Sequence, residues 1–561
     1  VEAVAFEIEQ QEETAPNLEM LDLDVFDGVA SLVDKSLIRQ VEESLAGEPR
    51  LQMLETIREY AAERLEKHAG LSAAACQAHA TYYADFTHQQ WPHLSGDRRE
   101  VVLEEMAADS ENLEIAWRYW TEKGDLAQLN KMVDSLWQLY DARGWYLATV
   151  GLTRDLLNVL GSTPSSSERA EQEIMLQTSL ARALLATEGY TTEVEKAYTR
   201  ALDLCEGAGD VPQLFPVLRG LSSYYTYRSE FDKGAEMGNK ILQLAESQDD
   251  ASMRVHGYLV LGYSIGFSDS LERGLEYLEK GIASFDPDRV SSRRFRLGNH
   301  PAVACYTSSA FFLWLRGYPD SALKRGDEAM ALAKRLNHPF TLAYATFHTG
   351  FLHMWRQEMV PTEARALAMM EIAEEYDFQV WKAIATILHG AALTGLGQSE
   401  KGLAQIDQGM ALYQDHITPP VFWPMLVSIQ ATALLMTGNP TAGLSLLEEL
   451  LETIGEGAVS KDLPDIGLLM GDLLLATSPV GTARVRALYQ QTLDVAQEKQ
   501  MLMLELRATT RLCRLALQEG KAEQAGRQLS QVYERFTEGF TTADLLEAKT
   551  LLDELKDQGL A

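Results

Sequence analysis

The sequence has few cysteines and no long apolar run. Four cysteines occur in 561 residues, and none of them stands in a CxxC pair. Isolated cysteines argue against disulfides and structural zinc, and they suit a reducing compartment. No stretch of about 18 apolar residues is present, so no transmembrane helix is expected. We therefore expect a cytoplasmic protein that makes no use of a membrane.

Basic residues are also scarce. The chain has 49 Lys and Arg against 82 Asp and Glu, which gives a formal net charge of −33. So acidic a surface repels a phosphate backbone, and direct binding of nucleic acid is disfavoured. The charge also keeps a large surface in solution.

Catalytic motifs are missing from the sequence. It contains no GxxxxGK[ST] loop to hold phosphates and no HExxH. We therefore expect the chain not to be an enzyme and to hold no metal or cofactor of its own. It starts without Met and without the basic region of a signal peptide, so we interpret it as part of a longer protein.

A helix–joint–helix pattern recurs with a period of about 40 residues. The clearest joint lies at 313–322, where Gly317 can take the left-handed conformation that ends a helix and Pro319 suits the first turn of the next. Further glycine joints follow at Gly397, Gly438 and Gly520, with weaker copies near residues 357 and 479. The period predicts an all-α, TPR-like solenoid of helical hairpins, forming a superhelix with a concave face.

Small residues recur early in the second helix of each hairpin, where the two helices must approach closely. They are Ala197, Gly234, Gly274, Ala322, Ala364, Gly402, Gly443, Ala483 and Ala525.

The N-terminal part has a different pattern. Helix, strand, loop, strand and helix follow one another up to about residue 68, which is the layout of a winged-helix unit. Longer helices then lead to a linker rich in Ser, Thr and Pro at 161–167. We predict a winged-helix domain at 1–70, a helical connector at 71–165 and a repeat domain at 166–561.

Two strings of this part resemble the winged-helix segment of bacterial STAND NTPases, which are related to NB-ARC proteins. They are residues 30–37 (ASLVDKSL) and 53–61 (MLETIREYA). The second string is similar to the family's Met-His-Asp motif, whose His faces the nucleotide. Met53, Glu55 and Arg58 match positions of that motif, while Leu54 stands where the His would be. The C-terminal part, 504–555, resembles the end of "predicted ATPase" repeat regions.

The resemblance implies the sensor part of a signalling regulator. In that family the repeats sense a trigger, either a small molecule or a protein, and control nucleotide exchange and oligomerisation of an NTPase module that is absent from this sequence. ATP or ADP would belong to that module, and this fragment would be a monomer. The alternative is a stand-alone TPR adaptor that binds peptides or proteins in its groove.

The period breaks once, at an insertion over 285–301. It carries five basic side chains: Arg289, Arg293, Arg294, Arg296 and His300. A basic loop in an acidic protein can receive an anionic ligand or an acidic partner segment. Alternatively, the arginines pair with Glu and Asp of neighbouring helices.

Aromatic and histidine side chains recur on the first helices of the repeats that follow. Rigid aromatics with polar tips suit a recognition groove, and at helical spacing they equally serve a core. The candidate binding residues are Tyr306, Trp314, Arg316, Tyr344, His348, Trp355 and Trp381.

Overall fold

The structure is a computed structural model that forms two compact units. It describes residues 25–41, 50–95, 98–143, 145–208, 212–286, 299–376, 378–415, 422–454, 465–477 and 482–558. The first unit comprises Val1–Leu184 and Asp203–Gly209, and the second comprises Leu185–Leu202 and Asp210–Ala561. The domain limits expected from the sequence stay a prediction.

The first unit begins with a small α+β element. Its members are α1 (Val25–Asp34), β1 (Ile38–Val41), β2 (Arg50–Met53) and α2 (Glu55–Glu66). The two strands pair antiparallel, with Ile38 opposite Met53. The order of helices and strands is the one expected from the sequence, and the assignment as a winged helix stays a prediction.

Longer helices complete the first unit. They are α3 (Ala69–Gln90), a 3₁₀ turn (Trp91–Ser95), α4 (Arg99–Ala108), α5 (Ser110–Lys123), α6 (Leu126–Arg143), α7 (Tyr146–Gly161) and α8 (Ser167–Glu188), the last of which runs on into the second unit. Trp120 is buried between them, and its indole N–H donates to the Ala80 carbonyl at 3.0 Å.

Helical hairpins make up the second unit, except that the residues of α9 from Asp203 onward belong to the first unit. In chain order the helices are α9 (Thr192–Ala208), α10 (Leu214–Tyr227), α11 (Phe231–Ser247), α12 (Ala251–Ser268), α13 (Leu271–Ala283), α14 (Pro301–Leu315), α15 (Pro319–Leu336), α16 (Pro339–Trp355), α17 (Met359–Glu375), α18 (Gln379–Gly395), α19 (Ser399–Asp415), α20 (Trp423–Met436), α21 (Pro440–Ile454), α22 (Asp465–Thr477), α23 (Thr482–Glu498), α24 (Leu502–Gln518), α25 (Ala522–Tyr533) and α26 (Ala543–Asp557). From α10 onward, consecutive helices pack against each other. The prediction of an all-α, TPR-like hairpin repeat is confirmed.

The glycine joints have the geometry expected of them. Gly317 has a φ of 85°, and Gly397, Gly438 and Gly520 are left-handed as well. At the first joint the amide of Tyr318 donates to the Leu313 carbonyl at 2.9 Å, which satisfies a carbonyl that the helix end would leave without a partner. Gln357 takes the same conformation at 61°. The weaker joint expected near 479 lies outside the described residues.

The close contact of each hairpin falls five residues after its joint. After the joints at Gly317, Gln357, Gly397 and Gly438 this residue is Ala322, Thr362, Gly402 and Gly443, and all four are buried; after Gly520 it is Ala525, which is half-buried. At α17 the contact is therefore made by Thr362, and the expectation for Ala364 is wrong because that residue lies two positions later, on the exposed side. Ala483 is exposed as well.

The largest core of the second unit is not built from neighbouring hairpins alone. It joins buried residues of α12 to α16 with buried residues of α23 to α26. The C-terminal helices therefore return to the middle of the same unit. Among the described helices, none combines the length and the apolar character that crossing a bilayer requires.

Gly402 generates a prediction about hairpin packing. A Cβ at this position would lie 2.5 Å from the Gly390 carbonyl oxygen, so α18 and α19 would have to separate. We expect Gly402→Ala to lower the free energy of unfolding by about 1–3 kcal/mol. Chemical denaturation followed by circular dichroism measures this change.

Gly151 on α7 supplies the control, because an added Cβ would meet nothing within 4 Å there. Gly151→Ala should leave stability unchanged or raise it by about 0.5–1 kcal/mol through helix propensity. Equal effects of the two substitutions would contradict the packing assignment.

Candidate binding site

A half-open pocket lies between α14, α15 and α16. Its lining consists of Thr307, Ala310, Phe311, Gly326, His348, Thr349, Leu352 and Trp355. The cavity volume is about 10 Å³, which is room for about one water molecule. No charged side chain takes part in the lining.

Helical spacing places these side chains on common faces. Thr307 and Phe311 are four residues apart on α14, as are His348 and Leu352 on α16, so each pair projects from one side of its helix. The third wall is open because Gly326 of α15 has no side chain, and a Cβ there would already lie 3.3 Å from a Leu352 methyl carbon.

The polar groups of the pocket are neutral. Burial lowers the pKa of His348 to about 3, so its imidazole is uncharged at neutral pH and offers one donor and one acceptor. Its ring lies 4.3 Å from that of Tyr344 and 4.8 Å from that of Phe347. Burial also raises the pKa of Tyr344, whose hydroxyl hydrogen-bonds with Thr307. The pocket is therefore suited to an uncharged group that is apolar and can form a hydrogen bond.

Trp355 forms the aromatic wall of the pocket. Its ring lies 4.7 Å from Phe311 and stacks at 5.3 Å on Trp314, which is 1% exposed. The guanidinium of Arg507, on α24, lies 4.8 Å from the centre of the Trp314 ring and donates to the Trp355 carbonyl at 2.7 Å. A residue from the C-terminal helices thus holds the wall in place.

The structure brings four of the candidate residues from the sequence together here. His348 and Trp355 line the pocket, and Tyr344 and Trp314 lie directly behind them. Trp381 lies elsewhere: it is 5% exposed and belongs to a second core that contains Phe347.

Three other candidates on or beside α14 make local contacts. Tyr306 lies under the guanidinium of Arg325 at 5.5 Å, and Arg316 pairs with Glu272 at 3.6 Å. His300 caps the start of α14, because its Nδ1 accepts from the Ala302 amide at 3.2 Å. Burial lowers the pKa of His300 to about 4, so the cap is neutral.

Four of the five basic side chains of the insertion lie outside the described residues. They are Arg289, Arg293, Arg294 and Arg296, and their role stays a prediction. No group of three or more His, Cys, Asp or Glu among the residues that are described could hold a metal ion.

The string that resembles the Met-His-Asp motif lies in the first unit, at the turn from β2 to α2. Met53 ends β2, and Leu54, which precedes α2, is 55% exposed. Glu55 accepts from Arg58 at 2.7 Å, and both side chains are exposed. Contact of these residues with a nucleotide stays a prediction.

Sequence reasoning missed two parts of the pocket. Thr307 and Phe311 lie on a helix in which nearly every residue is apolar or small, so no pattern separates lining from core. Arg507 lies 152 residues from Trp355. Local patterns cannot pair residues at that distance.

Comparison with known proteins gives structural likenesses at low identity. No family model and no curated protein matches the chain. A Rap protein complexed with competence and sporulation factor is similar at a TM-score of 0.45 and 13% identity, over 68% of this chain and 100% of that one. Yeast Tom70 has a TM-score of 0.32 and 12% identity, over 86% and 96%. A STAND protein with a tetratricopeptide repeat sensor from Pyrococcus horikoshii has 0.37 and 12%, over 84% and 59%.

The buried imidazole of His348 predicts a pH dependence of stability. Its pKa is about 3 in the folded protein and about 6.5 when unfolded, so unfolding takes up a proton between these values. Its contribution to stability is fully present above about pH 6.5 and is lost as the pH falls toward 3. We expect His348→Asn to lose less thermal stability than the parent chain when the pH is lowered from about 7 to about 5.

His88 supplies the control, because it is exposed on α3. His88→Asn should lose as much stability as the parent chain over the same interval. A loss in His348→Asn as large as that of the parent chain would show that the imidazole is not buried.

Proposed function

We propose that this chain is the trigger-sensing part of a STAND-type signalling regulator. The repeats of the second unit bind an uncharged trigger in the pocket between α14, α15 and α16. Binding then controls nucleotide exchange and oligomerisation of an NTPase module outside this chain. The chain itself catalyses no reaction and needs no cofactor.

The observation that carries the sensing role is the neutral pocket in an acidic protein. The chain has a net charge of −33, yet the helices α14, α16 and α20 contain no Lys, Arg, Asp or Glu. These three helices are first helices of repeats, and without charged side chains their surfaces favour apolar, uncharged ligands. A peptide segment with aliphatic or aromatic side chains fits this chemistry.

The same helices argue against the alternative of an adaptor that clamps peptide carboxylates. Such a clamp needs Lys and Arg on the first helices of several repeats. Among Lys and Arg, α18 contains Lys382 alone, and α14 and α16 contain neither. We therefore favour a sensor of an uncharged ligand over an adaptor for acidic peptides.

An exposed apolar surface in the first unit supports contact with a further module. Leu51, Leu54 and Tyr60 are 42%, 55% and 58% exposed, and all three lie at β2 and α2. They belong to the string that resembles the STAND family or lie next to it. Exposed apolar side chains this close together in the sequence are candidates for a docking surface.

Selection from a random peptide library tests the sensing role. We expect the selected peptides to be apolar and uncharged, and to bind the chain with micromolar affinity in a fluorescence titration. His348→Leu removes the imidazole's donor and acceptor from the pocket and should weaken binding about tenfold. In the full-length regulator, the same peptide should accelerate nucleotide exchange.

Val360→Ser provides the matched control, since this side chain on α17 is 64% exposed and lies outside the pocket. It should bind the peptides as the parent chain does. Selection of acidic peptides whose binding ignores His348→Leu would favour the adaptor instead. Binding without any effect on nucleotide exchange would contradict the regulatory role.

A further inference from the structure

The C-terminal segment Phe536–Asp544, called the clasp below, binds to a joint more than 200 residues earlier in the chain. The carboxylate of Glu538 accepts from the backbone amides of Asp320 and Ser321 at 3.0 and 2.8 Å, and from the Ser321 hydroxyl at 2.9 Å. These amides begin α15, so a distant residue caps this helix. In return, the Gly539 amide donates to the Asp320 carboxylate at 2.9 Å.

Apolar contacts at the same joint depend on two glycines. A Cβ at Gly317 would lie 2.8 Å from a Leu502 methyl carbon and 2.9 Å from the Phe536 ring. A Cβ at Gly539 would lie 2.0 Å from Pro319. Both positions are left-handed, so glycine serves the turn and the close approach together.

Arg507 connects the clasp to the pocket. Its guanidinium makes two hydrogen bonds of 2.9 Å with Asp544, the last residue of the clasp, whose side chain is 6% exposed. Burial acts to lower the pKa of Arg507, but the nearby carboxylates of Asp544 and Asp465 together raise it above its ordinary value, so the guanidinium stays charged. The same guanidinium packs on Trp314 and donates to the carbonyl of Trp355, the pocket wall.

The pocket is too small for a ligand while this arrangement holds. Its volume of about 10 Å³ admits about one water molecule, whereas an isopropyl or phenyl group is far larger. Leu352 and Thr349 are almost fully buried, whereas Phe311, His348 and Trp355 are half-buried, so a ligand enlarges the pocket on the side of these three rings. Displacing the Trp355 ring disturbs its stacking on Trp314, the ring on which Arg507 packs, and thereby the support of the clasp.

We propose that ligand binding in the pocket and closure of the clasp oppose each other. This inference rests on the proposed function and adds its regulation: the clasp holds the repeat unit in a closed, low-affinity state, and the ligand releases it. By linkage, the factor by which an open clasp raises affinity equals the factor by which the ligand favours opening.

The test uses Glu538→Ala, which removes the cap of α15, and N-phenyl-1-naphthylamine, an uncharged aromatic probe whose fluorescence rises on apolar binding. Loss of a helix cap should raise the affinity for the probe about fivefold. Hydrogen exchange at the Asp320 and Ser321 amides should also accelerate in this variant. In the parent chain, saturating probe should accelerate exchange at the same amides.

Glu534→Ala is the control, because it removes the same charge at an exposed position just before the clasp. It should change neither the affinity nor the exchange. Equal affinity of Glu538→Ala and the parent chain for the probe would overturn the coupling and leave the pocket intact. Failure of both proteins to bind the probe would instead overturn the proposed function, and the coupling with it.

Discussion

A helical hairpin cannot bury both of its faces by itself, and the second unit meets this constraint by closing on itself. In an open row the last hairpin would leave one face of its first helix in water. Here α24 is buried over most of its length, because α14 and α26 cover it. The closing contacts include two hydrogen bonds. Glu538 accepts one from an amide at the start of α15, and Lys499 donates the other to the carbonyl of Phe267 at 2.8 Å.

The candidate site depends on that closure. If the C-terminal helices ended in solvent, the Arg507 guanidinium would not pack on Trp314, and the Trp355 carbonyl would lose its hydrogen-bond donor. A buried Arg that pairs with one Asp and packs on an aromatic ring is costly to separate from either. The interaction that completes the core is therefore also the one that sets the shape of the pocket, which is why a ligand there and the clasp compete.

The repeat was predictable from the sequence because its determinants are local. Left-handed Gly317 and Gly397, and the small residue five positions later, specify each hairpin through contacts within about 20 residues. His348 and Trp355 were recognised as candidates by residue type, but their shared pocket depends on how α14 and α16 align. The closing contacts could not be predicted from the sequence. The partners of Glu538 lie 217 residues away, and their position depends on the accumulated rotation of successive hairpins.

A double-mutant cycle between Ser321 and Glu538 tests the closure most directly. Ser321→Ala and Glu538→Ala remove the two ends of a hydrogen bond of 2.9 Å that spans the closing contact. The closed unit predicts a coupling of about 1–2 kcal/mol in the free energy of unfolding, as for a hydrogen bond to a charged group. Effects that add to within about 0.3 kcal/mol would show that the two residues do not meet, and would contradict the closed arrangement.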